Sequence, residues 1–231
     1  MYEAVRSRPE GESTVARLAA TAADCGFEGV VVRNHGDGRA AYDAAAIRDR
    51  HGVDVVDGVE LRADDPGRLA GFLGSHRPER TVVCVHGGSG TANRFAANNE
   101  QVDVLAHPTR GAVDDVLART AAEHGVRLEV DLGPVLREDG GRRVREIADL
   151  RRLRDLIEAY DVPHVVTAGA TGHLDLRAPR ELAAVGEAIG LDGGWIEAGL
   201  AEWGRLAERN REREARYVEA GVRRGPYEAD G

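Results

Sequence analysis

The sequence predicts a single α/β domain in which short parallel strands alternate with helices and close into a (β/α) barrel. Apolar segments of four to eight residues, such as residues 29–33 and 54–61, alternate with segments of helical periodicity. The connecting segments are short, and no linker-like stretch divides the chain. The length of 231 residues also suits one barrel. Together these observations favour a closed TIM-like barrel over an open sheet.

The strands and helices of the first half follow from apolar patterns and turn residues. Strand 2–5 precedes a helix over 12–25 with one apolar face, and Gly26 is placed to end that helix. The apolar strand 29–33 is followed by a polar turn and a helix that runs through Arg50. The same alternation then predicts strands at 54–61, 81–86 and 102–106 and helices at 66–75, 91–98 and 113–124.

The second half continues the alternation, but the eighth strand is weak. Strand 126–132 leads to a long helix over 142–160, and strand 163–167 leads to a helix over 179–188 that Pro179 opens. After Leu191 the pair Gly193-Gly194 leads directly into a helix over 195–217, so the last strand is short or missing. We expect one domain over residues 1–217 and a disordered, glycine-rich and charged tail over 218–231.

Composition limits where the protein works and what it binds. No apolar run approaches the length of a membrane span and the first residues lack a signal peptide core, so we expect a cytoplasmic protein. Cys25 and Cys84 lack metal-ligand spacing and are expected to be buried reduced thiols. The net charge is −9, and all basic residues apart from histidine are arginine. Excess acid without lysine indicates a salt-loving source, so partners must be inferred from where the arginines cluster.

Polar side chains are predicted to meet at the carboxyl ends of the strands, which we call the barrel mouth. Along 126–132 the alternate apolar residues should face the helices, which turns Arg127, Glu129 and Asp131 inward. The same alternation directs further side chains toward the mouth, namely Glu3, Arg33, Glu60, His86, His107 and Thr167. One interpretation is that acids and arginines pair inside the barrel. The other is a metal site.

Two loops of small residues could approach a ligand. Residues 168–172 follow a buried strand, and backbone N–H groups of such a turn can contact phosphate, with His173, Arg177 and Arg180 close behind. The loop His86-Gly87-Gly88-Ser89-Gly90 lacks the ending of a phosphate-binding P-loop. We expect it to be a tight connection, with a contact to RNA phosphate as the alternative.

The stretch from Asp161 to Leu191 resembles the TIM-barrel protein subunits of archaeal ribonuclease P, which are related to the thirty-kilodalton subunit of the human enzyme. The matching positions of this chain are Asp175, Arg177, Pro179, Arg180, Glu181, Leu182, Ile189 and Gly190. Residues 102–141 are similar to the same family through VDVLAHP, a helix that begins with Asp, and a turn at 133–137. The resemblance covers residues 102–191 closely and residues 1–101 more loosely.

The resemblance implies a function, partners and a fold. It implies a subunit of the ribonucleoprotein that removes the 5′ leader from precursor tRNA, in which the RNA holds the catalytic Mg²⁺ and this chain binds no cofactor. The implied partners are ribonuclease P RNA, precursor tRNA and a small ferredoxin-like protein subunit, with which these barrels form a heterotetramer. No membrane partner is expected. The barrel is similar to that of the polymerase-and-histidinol-phosphatase (PHP) hydrolases.

A metal-dependent phosphoesterase of that PHP type is the alternative function. Such enzymes carry a His-x-His pair at the end of the first strand, where this chain has Glu3-Ala4-Val5. His86, His107 and His173 follow strands, but the sequence shows no second close ligand for any of them. We therefore expect no catalytic metal ion, and no catalytic residue, in this chain. A third hypothesis, favoured by the acidic surface, is an adaptor between proteins.

The arginines, histidines and polar residues near the mouth and the loops are the candidates for RNA contact. They share positions after predicted strands or in the basic segment that begins the long helix. They are Arg33, His86, Arg110, Arg137, Arg142, Arg143, Thr167, His173, Arg177 and Arg180. Their lysine counterparts in the family are absent here or replaced by arginine, because the chain contains no lysine.

Overall fold

The computed structural model describes residues 1–110, 113–215, 217–219 and 222–223, with side chains for residues 1–109 and 113–214. Seven parallel strands form one sheet in which each strand pairs with the next along the chain. They are β1 (Tyr2–Val5), β2 (Gly29–Val32), β3 (Asp54–Leu61), β4 (Val82–His86), β5 (Val104–Ala106), β6 (Arg127–Asp131) and β7 (His164–Thr167). This order is that of a TIM-like barrel, as predicted.

Nine α-helices accompany the strands in the described part of the chain. They are α1 (Val15–Asp24), α2 (Ala44–His51), α3 (Pro66–His76), α4 (Gly90–Ala97), α5 (Asp115–His124), α6 (Gly133–Arg137), α7 (Gly140–Ala159), α8 (Pro179–Ala188) and α9 (Gly193–Ala215). The predicted elements are present, with ends that shift by three residues or fewer. The exception is α6, which the sequence suggested to be a turn.

Local side-chain chemistry explains where these helices begin and end. The hydroxyl of Thr14 and the carboxylate of Asp114 accept hydrogen bonds from backbone N–H groups of the first turns of α1 and α5. Ser89 does the same for α4, which confirms a structural role for the loop before it. Gly125 ends α5 in the left-handed conformation that glycine adopts without strain.

Apolar residues form two layers, one on each side of the sheet. The larger layer packs the outward strand side chains, such as Leu128 and Val130, against the helices. The smaller layer lies inside the barrel and includes Ala4, Val56 and Cys84 from three different strands. Cys84 is fully buried as expected, whereas Cys25 is half-buried rather than buried; both thiols are free.

Helix α9 covers the amino-terminal ends of the strands and fills the lower part of the barrel. Trp203 is completely buried among the inner residues and donates a hydrogen bond from Nε1 to the carbonyl of Val166 (2.9 Å). Asn210 donates to the carbonyl of Thr81 (2.8 Å), just before β4, and Arg211 pairs with Asp54 at the start of β3 (2.7 Å). One end of the barrel is therefore closed by a helix.

The eighth barrel strand is absent from the described residues, as the sequence suggested. Between β1 and β7 the structure has a single parallel bridge from Val5 to Ala170. Side chains complete the contact, since the Thr167 hydroxyl donates to Glu3 Oε1 (2.5 Å) and lies 3.2 Å from the Ala4 carbonyl. The barrel is thus closed there by one bridge and a buried carboxylate.

The predicted disordered tail is only partly described. Two short strands, β8 (Tyr217–Glu219) and β9 (Val222–Arg223), pair in antiparallel fashion. Residues 220–221 and 224–231 of the expected tail lie outside the described residues. None of the described helices combines the length and hydropathy that crossing a bilayer would need.

Because Trp203 fills the barrel below the mouth, its removal should destabilise the whole fold. Trp203→Ala should lower the free energy of unfolding by about 3–5 kcal/mol, since it leaves a large buried cavity. Trp203→Phe should cost less, because it keeps most of the apolar contact and loses the hydrogen bond to Val166. Chemical denaturation in concentrated KCl measures both.

Leu174→Ala is the control for this comparison, because the Leu174 side chain is 78% exposed and should contribute little. Equal free energies of unfolding for Trp203→Ala and Leu174→Ala would show that packing of α9 inside the barrel does not stabilise the fold.

Candidate functional site

A buried carboxylate, Glu60 on β3, organises the barrel mouth. Its Oε2 accepts hydrogen bonds from Arg6 Nη2 (2.7 Å), just after β1, and from Arg33 Nη1 (3.0 Å), just after β2. Arg33 Nη2 lies 2.5 Å from Oε1 of Glu129 on β6. Arg33, Glu60 and Glu129 are almost fully buried. The interpretation that acids and arginines pair inside the barrel is therefore confirmed.

Three histidines surround the other oxygen of Glu60. His86 Nδ1 forms a short hydrogen bond with Oε1, and the Nε2 atoms of His35 and His107 each lie 3.7 Å from it. His107 Nδ1 lies 3.3 Å from Asp131 Oδ2, and His35 Nδ1 lies 3.1 Å from Glu10 Oε2. The carboxyl ends of β2 to β6 thus bring together one polar side chain each. They are His35, Glu60, His86, His107 and Asp131.

Burial and neighbouring charges together set the pKa values of this cluster. Burial by itself would raise the pKa of Glu60, but Arg33, His86 and Arg6 hold that pKa well below its usual value. Burial likewise lowers the pKa of His86 in spite of its contact with Glu60. For His107, burial acts in the same direction, but Glu129 and Asp131 raise its pKa. The mouth therefore combines permanent carboxylate and guanidinium charges with histidines of different basicity.

Glu3 on β1 is the least compensated carboxyl group of the interior. Its Oε1 accepts from the Thr167 hydroxyl and from the Ala168 N–H (2.9 Å), whereas Oε2 has no hydrogen-bond partner among the described residues. Burial raises its pKa to about 8, against the opposing effect of these hydrogen bonds. Glu3 is therefore mainly protonated at neutral pH.

The histidines have closer neighbours than the sequence suggested. The statement that His86 and His107 lack a second close ligand is wrong, because parallel strands bring Glu60 to both of them. One ligand atom each from His35, Glu60 and His86 lies within 4.8 Å of the others, which is close enough to hold a metal ion. However, Arg6 and Arg33 already supply two positive charges to Glu60, and a divalent cation there would be repelled by them. The donor set fits a metal ion poorly.

The loop 168–172 uses its own backbone donors. The Gly169 N–H donates to Thr167 Oγ1 (2.9 Å), and the N–H groups of Thr171 and Gly172 donate to Asp175 Oδ2 (3.0 and 2.9 Å). These groups therefore cannot also bind a phosphate without breaking local hydrogen bonds. A phosphate contact through this backbone would have to compete with these hydrogen bonds, so it stays a prediction, and the loop does line the mouth.

The stretch that carries the family resemblance has clear structural roles. Asp175 fixes the loop, and Arg177 Nη1 donates to the carbonyls of Leu174 (2.9 Å) and Leu176 (2.8 Å). Pro179 begins α8, and the Glu181 carboxylate accepts from the Ala178 N–H (2.8 Å) at the start of that helix. The motif therefore builds a loop and a helix start beside the mouth.

The candidates for RNA contact differ in how free they are to bind. Arg33 and Thr167 are buried in the hydrogen bonds described above, and His86 is mostly buried. Arg137 donates to the carbonyls of Ala168 and Gly169 (both 2.9 Å) at the rim of the mouth. His173 contacts Ser13 and Arg17. The Arg110 side chain lies outside the described residues.

Besides Arg137, three candidate arginines have side chains exposed to solvent. Arg142 lies 3.5 Å from Glu138, and Arg143 donates to the Glu138 carbonyl (2.7 Å), both at the start of α7. Arg180 lies in the first turn of α8 and is exposed, and it forms no ion pair with any described side chain. The alternative that Arg180 is a buried member of an ion pair is therefore wrong.

Sequence analysis missed Arg6 and His35. Arg6 directly follows a predicted strand and His35 lies two residues beyond another. Neither belongs to a motif, and His35 lies in a turn that the sequence indicated to be polar. Their positions after the carboxyl ends of β1 and β2 were the available signal, because such positions face the mouth of a barrel.

The raised pKa of Glu3 predicts a loss of stability as the pH rises. Between its ordinary value of 4.5 and about 8, the unfolded chain loses the Glu3 proton while the folded chain keeps it, so stability falls across this window. Glu3→Gln can still accept hydrogen bonds from Thr167 and Ala168 but cannot ionise. The free energy of unfolding of Glu3→Gln, relative to that of wild type, should increase between pH 4.5 and pH 8. The total increase should be several kcal/mol, since one pKa unit is about 1.4 kcal/mol. Denaturation curves across this range measure it; a constant difference would contradict the assignment.

Comparisons with known proteins agree with this fold. The family model described as RNase P subunit p30 matches residues 1–215. Ribonuclease P protein component 3 of Haloarcula marismortui is 57% identical over 226 residues, which cover 96% of each chain. The protein of the same name from Halorubrum lacusprofundi is 50% identical over the full length of both.

A solved structure agrees as well. A chain in the cryo-EM structure of archaeal ribonuclease P with mature tRNA superposes with a TM-score of 0.81 at 20% identity, over 99% of both chains. An identity of 20% shows a shared fold and nothing more. The family model and the two relatives show membership of the family. On this evidence the chain belongs to the ribonuclease P subunit p30 family.

Proposed function

We propose that this chain is a protein subunit of ribonuclease P, the ribonucleoprotein endonuclease that removes the 5′ leader from precursor tRNA. The observation that carries the proposal is the family match over residues 1–215, together with relatives named ribonuclease P protein component 3 that align over nearly the whole chain. The barrel shared with a chain of archaeal ribonuclease P supports it. We expect the protein to work in the cytoplasm.

In this proposal the RNA performs the chemistry and binds the catalytic Mg²⁺, and the chain binds no catalytic metal ion. The state of Glu60 supports this division. A hydrolytic metal site must hold an ion that lowers the pKa of a bound water. Here the central carboxylate is already neutralised by two arginines. The same observation disfavours the stand-alone phosphoesterase.

The chain would act by lowering the repulsion between RNA phosphates. Exposed guanidinium groups bind phosphate oxygens in pairs and keep their charge at any working pH. Arg142, Arg143 and Arg180 are exposed and lie outside the mouth, so they are the candidates that we retain for direct contact on the outer surface. The partners would be ribonuclease P RNA and precursor tRNA.

The acidic composition implies that a protein partner is also needed. A net charge of −9 opposes binding to RNA, and concentrated salt weakens each phosphate contact further. We propose that docking with the small ferredoxin-like subunit, in a heterotetramer, supplies the remaining affinity. Protein contacts of this kind lose less to screening than phosphate contacts do.

Reconstitution tests the function. Cleavage of precursor tRNA by ribonuclease P RNA should be stimulated in molar KCl when this chain and the ferredoxin-like subunit are added together, and little by either protein alone. Product formation is measured for the RNA alone, with each protein and with both, at several KCl concentrations. Absence of stimulation by the pair at every concentration would refute the proposal, and strong stimulation by this chain alone would refute the need for its partner.

The exposed arginines give a residue-level prediction. Arg142→Gln, Arg143→Gln and Arg180→Gln should each weaken binding of the reconstituted proteins to the RNA and reduce the salt slope of log affinity by about 0.7–0.9. Thermal stability should be unchanged, because none of these side chains is buried. Arg50→Gln on α2 removes an equal charge from another exposed site and serves as the control. Variants that match this control would show that these three arginines do not contact RNA.

A further inference from the structure

A small cavity opens at the barrel mouth beneath the loop 168–172. Its volume is about 210 Å³, and its polar lining comprises Arg6, Arg33, His86, His107, Asp131, Arg137, Glu138 and Thr171. Pockets for drug-sized ligands measure roughly 300–1,000 Å³. The cavity therefore suits a small charged group better than a whole nucleotide.

The positive charges line this cavity, whereas the strongest negative charges lie behind it. Glu60 and Glu129 are fully buried and do not line the cavity, although they hold Arg6 and Arg33 in place. Asp131 does line it but is engaged by His107 (3.3 Å). A ligand that enters from solvent consequently meets three guanidinium and two imidazole groups, against the carboxylates of Asp131 and Glu138.

Arg137 adds a charge that forms no ion pair with a described carboxylate, although Asp131 Oδ1 lies near its guanidinium. Its two hydrogen bonds go to the neutral carbonyls of Ala168 and Gly169, and it forms no ion pair with any described side chain. Gly133 and Gly169 leave room for this guanidinium, because an added Cβ would lie 2.2 and 3.2 Å from its Nη2 atom. The side chain is thus held at the rim with its positive charge available to the cavity.

Two buried donors of the lining lack acceptors. The Nε atoms of Arg6 and Arg33 are inaccessible and make no hydrogen bond with any described residue. Buried N–H groups are nearly always satisfied in folded proteins, so these two guanidinium groups keep hydrogen-bonding capacity that the described residues do not use. An oxyanion offers several acceptors at once, whereas a metal cation offers none.

We propose that this cavity binds one phosphate group, which the RNA supplies in the assembled enzyme. Arg6 and Arg137 are the binding residues, and Arg33 with Glu60 and Glu129 positions Arg6. The RNA source rests on the proposed function, whereas the affinity for phosphate itself does not. A backbone or terminal phosphate would thus anchor one nucleotide over the open end of the barrel.

Inorganic phosphate is the first probe. The full-length protein, freed of metal by EDTA, is titrated with phosphate in concentrated KCl at constant ionic strength and followed by ³¹P NMR. Binding should be saturable for wild type, about tenfold weaker for Arg6→Gln because a charge-assisted hydrogen bond is lost, and intermediate for Arg6→Lys. Arg50→Gln, which keeps the cavity intact, should bind within about twofold of wild type.

Circular dichroism checks that the Arg6 variants fold. Should Arg6→Gln fail to fold, Arg137→Gln, whose side chain lies at the rim, provides the same test. Equal binding by wild type and the folded cavity variant, or no saturable binding by wild type, would overturn the proposal. Binding that appears only after a divalent metal is restored would overturn it too, because the ion and not the arginines would then hold the phosphate.

The RNA arm separates this inference from the proposed function. In the presence of the ferredoxin-like subunit, the same cavity variant should bind ribonuclease P RNA about tenfold more weakly than wild type does. Inorganic phosphate should displace the RNA from the wild-type protein more strongly than chloride does at equal ionic strength. Stimulated cleavage with unchanged RNA affinity of the variant would overturn the RNA source and leave the proposed function standing. Lack of stimulation by wild type would refute the function itself, while saturable phosphate binding would still support the cavity.

Discussion

The Arg33 guanidinium, held between Glu60 and Glu129, is the interaction on which the mouth of this barrel depends. It joins β2 to β3 and β6 across the interior, where water does not compensate charge. Loss of one partner would leave a buried charge uncompensated, at a cost of about 3–5 kcal/mol. Because Glu60 is fixed in this way, it can also hold Arg6 and orient His86. The polar interior is thus a connected network rather than separate pairs.

The alternation of apolar segments was sufficient to predict the seven strands and the missing eighth, because each parallel strand of a barrel is buried on both faces. Period-two alternation also predicted correctly that Glu129 and Asp131 point inward while Leu128 and Val130 meet helices. Arg6 and His35 were missed because they lie beyond strand ends, where no periodicity applies. The contact of Arg6 with Glu60 spans 54 residues and depends on the order of the strands. Nothing local in the sequence indicates it.

The stretch most similar to the ribonuclease P family illustrates the difference between identifying a fold and locating an interface. The side chains of Asp175, Arg177 and Glu181 form hydrogen bonds within the loop and at the first turn of α8. Residues with these roles are needed to build the turn itself, so they indicate the fold rather than an interface. Arg180, between them, makes no such contact with a described residue, and its side chain is exposed to solvent. Only the three-dimensional contacts distinguish these two kinds of position.

The position of α9 also determines how the molecule can be handled. This helix covers the end of the barrel at which the strands begin, and Gly204 packs close to Tyr2 near the amino terminus. The amino terminus therefore lies at the end opposite to the mouth. An affinity tag or a surface linkage placed there would hold the protein with its open end directed toward solution. Immobilised in this orientation, the chain would leave the whole mouth accessible to RNA and to protein partners.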